Sequence, residues 1–220
     1  FEGETMLARA NRCAREATGG RIVVIGPAEA IYSEAAQLAD LVAEEGESAP
    51  DNMMRGLERL GTPTPHILLM TTDQPFVTAE SLHAWLRHAD PGVDICVPMI
   101  RQEPYLERFP GMPATFVKLR DGAWTTGGAF RLRSEAVPGM KAHMDAVFAQ
   151  RKSKLGMARL LGVSFLVRFL TKQLASEDVR RKVEELLQCS GQLVYDCDPV
   201  LAYDIDLHDE YRYARAQVPA

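Results

Sequence analysis

Two short acidic stretches hold the residues of this chain best placed to do chemistry. Thr71-Thr72-Asp73-Gln74-Pro75 follows the apolar run His66–Met70, and Asp204-Ile205-Asp206 follows a second apolar run near the C-terminus. A short run rich in Ile, Leu and Met reads as a buried strand, and Asp-x-Pro stops it. Asp73 then stands at the carboxyl end of a central strand, where open α/β sheets gather ligands. Carboxylate oxygens at two strand ends can share one divalent cation, the ion that a nucleotide's phosphates need. The plainer reading of Asp73 is a cap on the helix that starts near Thr78.

A third feature lies between them. Thr125-Thr126-Gly127-Gly128 precedes the strand Ala129–Leu132. Adjacent glycines there allow positive φ and close approach of backbone to a ligand, or they make a hairpin turn.

The elements that must position these residues alternate along the first half of the chain. Helical spacing over Thr5–Ala17 ends at Gly19-Gly20, and Arg21–Gly26 reads as a buried strand. A short helix follows over Ala28–Tyr32, then a weak strand near Asp40–Ala43 and a helix from Pro50 to Leu60. His66–Met70, a helix over Ala79–His88 and the strand Val93–Ile100 complete the pattern. Alternating strands and helices imply an α/β fold, a single domain with a mostly parallel twisted sheet covered on both faces.

Beyond that point Arg101–Ala114, rich in Pro and charge, reads as a loop facing the site. Short strands at Thr115–Leu119 and Ala129–Leu132 flank Asp121-Gly122. Residues 134–190 form a helical subregion: Ser134–Gln150, Leu155–Leu161, Val163–Lys172 and Glu177–Leu187. Gln192–Tyr195 and Leu201–Ile205 finish the sheet before a closing helix over Asp209–Gln217. Leu155–Leu170 is strongly apolar, yet Arg159, Arg168, Gly156 and Gly162 interrupt it. It is expected to pack on the sheet edge, which disfavours a membrane surface as partner.

Composition excludes several classes. A chain of 220 residues, 46% hydrophobic, can bury one proper core. A net charge of −5 leaves no basic stripe for a nucleic acid. Cys13, Cys96, Cys189 and Cys197 form no Cys-x-x-Cys pair and read as reduced thiols, which points to the cytoplasm. The five histidines lack metal-ligand spacing.

The ordered set of a strand ending in Asp73-x-Pro75, Gly127-Gly128 before a strand, and Asp204-Ile-Asp206 leading through Glu210 into a helix resembles one family. It is that of the molybdenum-cofactor-guanylyltransferase-like (MobA-like) nucleotidyltransferases, of glycosyltransferase-A-like fold. Phe1–Leu7 is similar to the segment that opens the family's first helix, and Asn52–Leu57 to the helix beside the nucleotide base. Phe116–Gly122, Arg151–Leu155 and Ala158–Gly162 resemble a bacterial subgroup.

The resemblance implies transfer of a nucleoside monophosphate from a nucleoside triphosphate to a small, phosphorylated acceptor, with Mg²⁺ bound by Asp73 and Asp206. Asp204 is the rival to Asp206, because strand alternation turns only one of them to the site. Asp209 and Glu210 charge the first turn of the closing helix. Asn52 is expected to meet the base or ribose, Gly127 and Gly128 to lie by the nucleotide, and Lys118 and Lys152 to hold acceptor phosphate. The bland alternatives are a helix-turn residue for Asn52 and solvated surface positions for the lysines.

Two departures stand out. The family's opening strand and glycine-rich loop have no counterpart from Phe1 onward, and roughly 20–30 further N-terminal residues are expected, their strand lying between Arg21–Gly26 and His66–Met70. The family's Gly-Gly-Asn is Gly127-Gly128-Ala129 here. A glycosyltransferase of the same fold would carry paired acids where Asp73-Gln74-Pro75 has one. A non-catalytic nucleotide-binding relic is the other alternative.

Overall fold

The computed structural model describes residues 3–32, 36–61, 64–112, 114–150 and 153–217. Helix limits follow the caps that the sequence supplies. α1 (Met6–Thr18) starts at Thr5, whose side chain accepts from the Ala8 amide. It stops at Gly19, at φ 65°, a left-handed conformation that costs glycine little. After β1 (Val23–Gly26), the short α2 (Ala28–Ile31) and β2 (Leu41–Glu44), α3 (Ala49–Leu60) begins at Ser48, which accepts from the Asp51 amide. Gly56 lets α3 lie close on β1: a Cβ there would stand 2.8 Å from Ile25 Cδ1. β3 (His66–Met70) leads to α4 (Ala79–Leu86), opened by a reciprocal box between Thr78 and Ser81.

β4 (Ile95–Arg101) runs directly into α5 (Gln102–Arg108), so the segment expected as a loop begins as a helix. Tyr105 explains the difference: it is 2% exposed and anchors α5 in the core beside Phe109. β5 (Val117–Leu119) and β6 (Gly122–Thr126) form a hairpin, followed by β7 (Ala129–Arg133). α6 (Val137–Gln150), α7 (Lys154–Leu161), α8 (Val163–Leu170) and α9 (Ser176–Leu187) precede β8 (Gly191–Val194), and α10 (His208–Gln217) closes the chain. No described helix is long and apolar enough to cross a membrane.

The α/β class holds, but the sheet is less parallel than the sequence suggests. β1 and β2 pair in parallel as a separate ladder, and β4 pairs in parallel with β8. The other ladders of the larger sheet, β3–β7, β7–β4, β4–β6 and β6–β5, are antiparallel. The chain returns after β4 through a hairpin rather than a helical crossover, and this reverses β6 and β7. β7 slots between β3 and β4, which still point the same way as each other and as β8. Among the described residues no ladder joins β1 to β3.

The consequence for the site is geometric. The carboxyl ends of β3, β4 and β8 share one edge of the sheet. Beneath that edge lies the main core, built from Val77, Leu82, Trp85, Ile100, Tyr105, Phe109, Leu201 and Tyr203.

Candidate active site

Asp73 leaves β3 at the shared edge, and its backbone carbonyl accepts from the Ile205 amide at 3.1 Å. One hydrogen bond thus ties the two acidic stretches together. Leu201–Ile205 is not the strand the sequence suggested. It begins as a 3-10 turn over Pro199–Ala202 and continues as extended chain without a ladder. Pro199 removes a donor, and the Asp198 carboxylate caps the turn by accepting from the Val200 amide at 3.0 Å. Without a ladder, strict alternation does not apply, and Asp204 and Asp206 are both exposed.

The glycine pair is what lets the two stretches meet. Thr126 and Arg131 stand five positions apart, while their β4 partners Met99 and Cys96 stand three apart. The two surplus residues bulge from the ladder at Gly127-Gly128. There the Gly128 amide donates to the Leu201 carbonyl at 3.0 Å, and the Gly128 carbonyl accepts from the Thr71 amide at 3.0 Å. A Cβ on Gly127 would meet the Leu201 carbonyl oxygen at 2.6 Å, and one on Gly128 would meet Thr71 Oγ1 at 2.7 Å. The close approach that requires glycine is therefore to the chain itself, and it is made without positive φ at either residue. Ala129, where the family has Asn, is fully buried in the core.

Two residues that the sequence reading left without a site role complete the frame. Gln74 is 3% exposed and its Nε2 donates to the Leu201 carbonyl at 2.5 Å. Glu210 is 8% exposed, and its Oε2 accepts from the amides of Asp206 at 2.7 Å and Leu207 at 2.6 Å. Its own carbonyl accepts from the Tyr203 hydroxyl at 2.8 Å. Glu210 is the third residue of α10, and a glutamate there reaches back to the helix start, so its spacing was the available signal. Tyr203, fully buried against Phe76 and Phe109, anchors the stretch from below, and burial pushes its phenol up to about 12.

The electrostatics are those of crowded acids. Desolvation raises the Asp204 carboxyl above the ordinary carboxylate range, and the charges of Asp206 and Asp73 raise it further. Asp73 Oδ1 and Gln74 Oε1 are buried and lack a hydrogen-bond partner. Among the described residues no group of three or more His, Cys, Asp or Glu forms a ready metal cage. A buried carboxylate oxygen without a donor, on a residue whose charge reaches Asp204, suits a hard divalent cation that takes its remaining ligands from phosphate and water.

Of the other candidates, Asn52, Lys118 and Asp209 make their contacts elsewhere. Asn52 sits in the first turn of α3, where its Oδ1 accepts from the Gly46 amide at 2.6 Å and closes the loop after β2. Lys118 is exposed on β5 opposite Ala123. Lys152 lies outside the described residues. Asp209 pairs with Arg212 on the surface of α10.

Asp73 at the end of β3 and the Asp204–Asp206 stretch tied to it over the glycine bulge make one acidic edge on a mixed sheet. Solved structures share the fold. A hypothetical transferase from Thermus thermophilus superposes with a TM-score of 0.83 at 22% identity, covering 93% of this chain and 85% of that one. The 2-C-methyl-D-erythritol 4-phosphate cytidylyltransferase of Thermus thermophilus gives 0.57 at 16% identity, over 98% and 89%. A CMP:2-keto-3-deoxy-manno-octonic acid synthetase complexed with CTP gives 0.56 at 10% identity, over 96% and 86%. No curated protein matches the chain. The chain belongs to the MobA-like NTP transferase domain family, whose pattern it matches over residues 1–195.

Proposed function

We propose that this protein transfers a nucleoside monophosphate from a nucleoside triphosphate to a small phosphorylated acceptor, releasing pyrophosphate. The observation that carries the reading is the Asp73–Ile205 backbone hydrogen bond, which joins the Asp73 loop to the Asp204–Asp206 stretch, where Asp73 Oδ1 is buried without a partner. In this reading Asp73 and Asp206 hold Mg²⁺, with Asp204 as the third acid nearby. The ion, when bound, supplies positive charge against the oxygens of the reacting phosphate.

The chain's own part is placement. Glu210 fixes the backbone that carries Asp206, and Gln74 with the glycine bulge fixes the loop that carries Asp73. Asn52 is proposed for the base or ribose through the amide nitrogen that the Gly46 contact leaves over. Lys118 and Lys152 are proposed for acceptor phosphate, and Gly127-Gly128 for the floor under the nucleotide. The family match supports the donor class. One neighbour of this fold is named for a sugar-alcohol phosphate and another is complexed with CTP, which supports a phosphorylated acceptor and a triphosphate donor.

The test is pyrophosphate release over a panel of nucleoside triphosphates and phosphorylated acceptors, with and without Mg²⁺. Asp73→Asn should lower turnover by about 10²–10³-fold with little change in melting temperature. Turnover that survives this change, or that proceeds equally in chelator, would overturn the assignment.

A further inference from the structure

The segment 151–172 carries six basic residues and no acidic one, within a chain of net charge −5. The sequence predicts that Leu155–Leu170 within it packs on the sheet edge. In the structure α8 buries none of its eight residues. Val163 and Leu170 are each 77% exposed and Val167 is 53% exposed. The spacing 163, 167, 170 puts them on one helical face. Phe169 on the same helix and Leu155 on α7 are also exposed. Gly162, at φ 84°, joins the two short helices.

Charge identifies what covers this face. Arg168 is held by Asp178 at 2.7 Å, but Arg159 and Lys172 are exposed and have no ion-pair partner among the described residues. Exposed aliphatic and phenylalanine side chains flanked by unpaired cations are the two components of a helix that lies in a membrane interface. A second copy of the chain is the weaker occupant, because a two-fold contact sets the same basic segment against itself. We propose that α7 and α8 dock the protein on an anionic bilayer surface. Val163, Val167 and Leu170 enter the acyl boundary, and Arg159 and Lys172 stay among the headgroups.

The experiment is flotation of the full chain with vesicles of phosphatidylglycerol mixed with phosphatidylcholine, and with phosphatidylcholine alone. The protein should float with the anionic vesicles and lose that binding as salt is raised. Replacing Val167→Glu and Leu170→Glu together should lower partitioning by about tenfold or more. Arg159→Gln and Lys172→Gln should each lower it about fivefold. Unchanged melting curves for these variants separate docking from folding. No flotation with anionic vesicles, or flotation indifferent to the paired glutamates, overturns the proposal. So does a concentration-dependent dimer that those glutamates abolish without any vesicle binding, since a second copy then covers the face. None of these outcomes bears on the acidic edge, which stands or falls by turnover.

Discussion

The acidic edge and the α7–α8 pair handle exposed chain in opposite ways. At the edge a stretch without regular structure is held at every step: Leu201 accepts from Gly128 and Gln74, Ile205 donates to Asp73, and Glu210 receives the amides of Asp206 and Leu207. Leu201 and Tyr203 are fully buried beneath it. In α7 and α8 the backbone is regular, yet the apolar side chains of α8 point largely to solvent. Backbone order and side-chain burial are therefore separable. The edge uses no helix or strand for its acids but fixes them through buried neighbours, whereas α8 is ordered by local hydrogen bonds and leaves its apolar face for something outside the fold.

Glycine substitutions break this contrast most directly, beyond the turnover loss expected of Asp73→Asn. Gly127→Ala places a methyl group 2.6 Å from the Leu201 carbonyl oxygen, a backbone atom that cannot retreat without losing its contacts to Gly128 and Gln74. A cost of about 1–3 kcal/mol is expected. In a chain of this size that lowers the melting temperature by roughly 2–4 °C per kcal/mol. Gly139→Ala, in α6, meets nothing within 4 Å and has no special φ. It should stabilise by up to about 1 kcal/mol. Thermal melts of the two variants should move in opposite directions, and parallel shifts would show that the edge is no tighter than the helices.

Glu210→Ala sharpens the comparison at a single side chain. It strips two backbone amides of their charged acceptor, which should cost about 1–3 kcal/mol, and it loosens the backbone that carries Asp206. Glu210→Gln keeps an acceptor oxygen and should recover most of both stability and turnover. If the alanine variant melts normally and turns over normally, Glu210 does not fix this stretch.

Much of this architecture was legible in the sequence, and the residues show where legibility ended. His66–Met70, α1, α3 and α4 follow from apolar runs and caps because those signals are local. The reversal of β6 and β7 was not legible: Gly122–Thr126 pairs with β4 only after the hairpin returns, a nonlocal event that periodicity does not encode. Leu201–Ile205 looked like a strand because it is apolar, but its side chains are buried by the core under a 3-10 turn instead of by a ladder. At the site, Asp73 and Asp206 stood out as acids after apolar runs. Gln74 did not, since its role depends on a carbonyl far along the chain.

The smallest expected effect is the most specific to crowding at the edge. Desolvation and the charges of Asp206 and Asp73 raise the Asp204 carboxyl pKa in the folded protein. A raised carboxyl binds its proton more tightly folded than unfolded, so its penalty is absent below the ordinary carboxylate range and complete above the raised folded value. Stability contributed by Asp204 thus falls as pH rises through that window. Asp204→Asn should remove the fall and stabilise the protein at neutral pH. Because Asp204 is exposed and the repulsion is screened, the gain stays under about 1 kcal/mol. Added divalent cation should relieve the same repulsion in the unaltered protein and leave the asparagine variant with less to gain. Melting curves against pH, with and without Mg²⁺, measure both. A variant that gains as much from Mg²⁺ as the original would show that Asp204 does not share the charge of Asp73 and Asp206, and that the edge holds its acids apart.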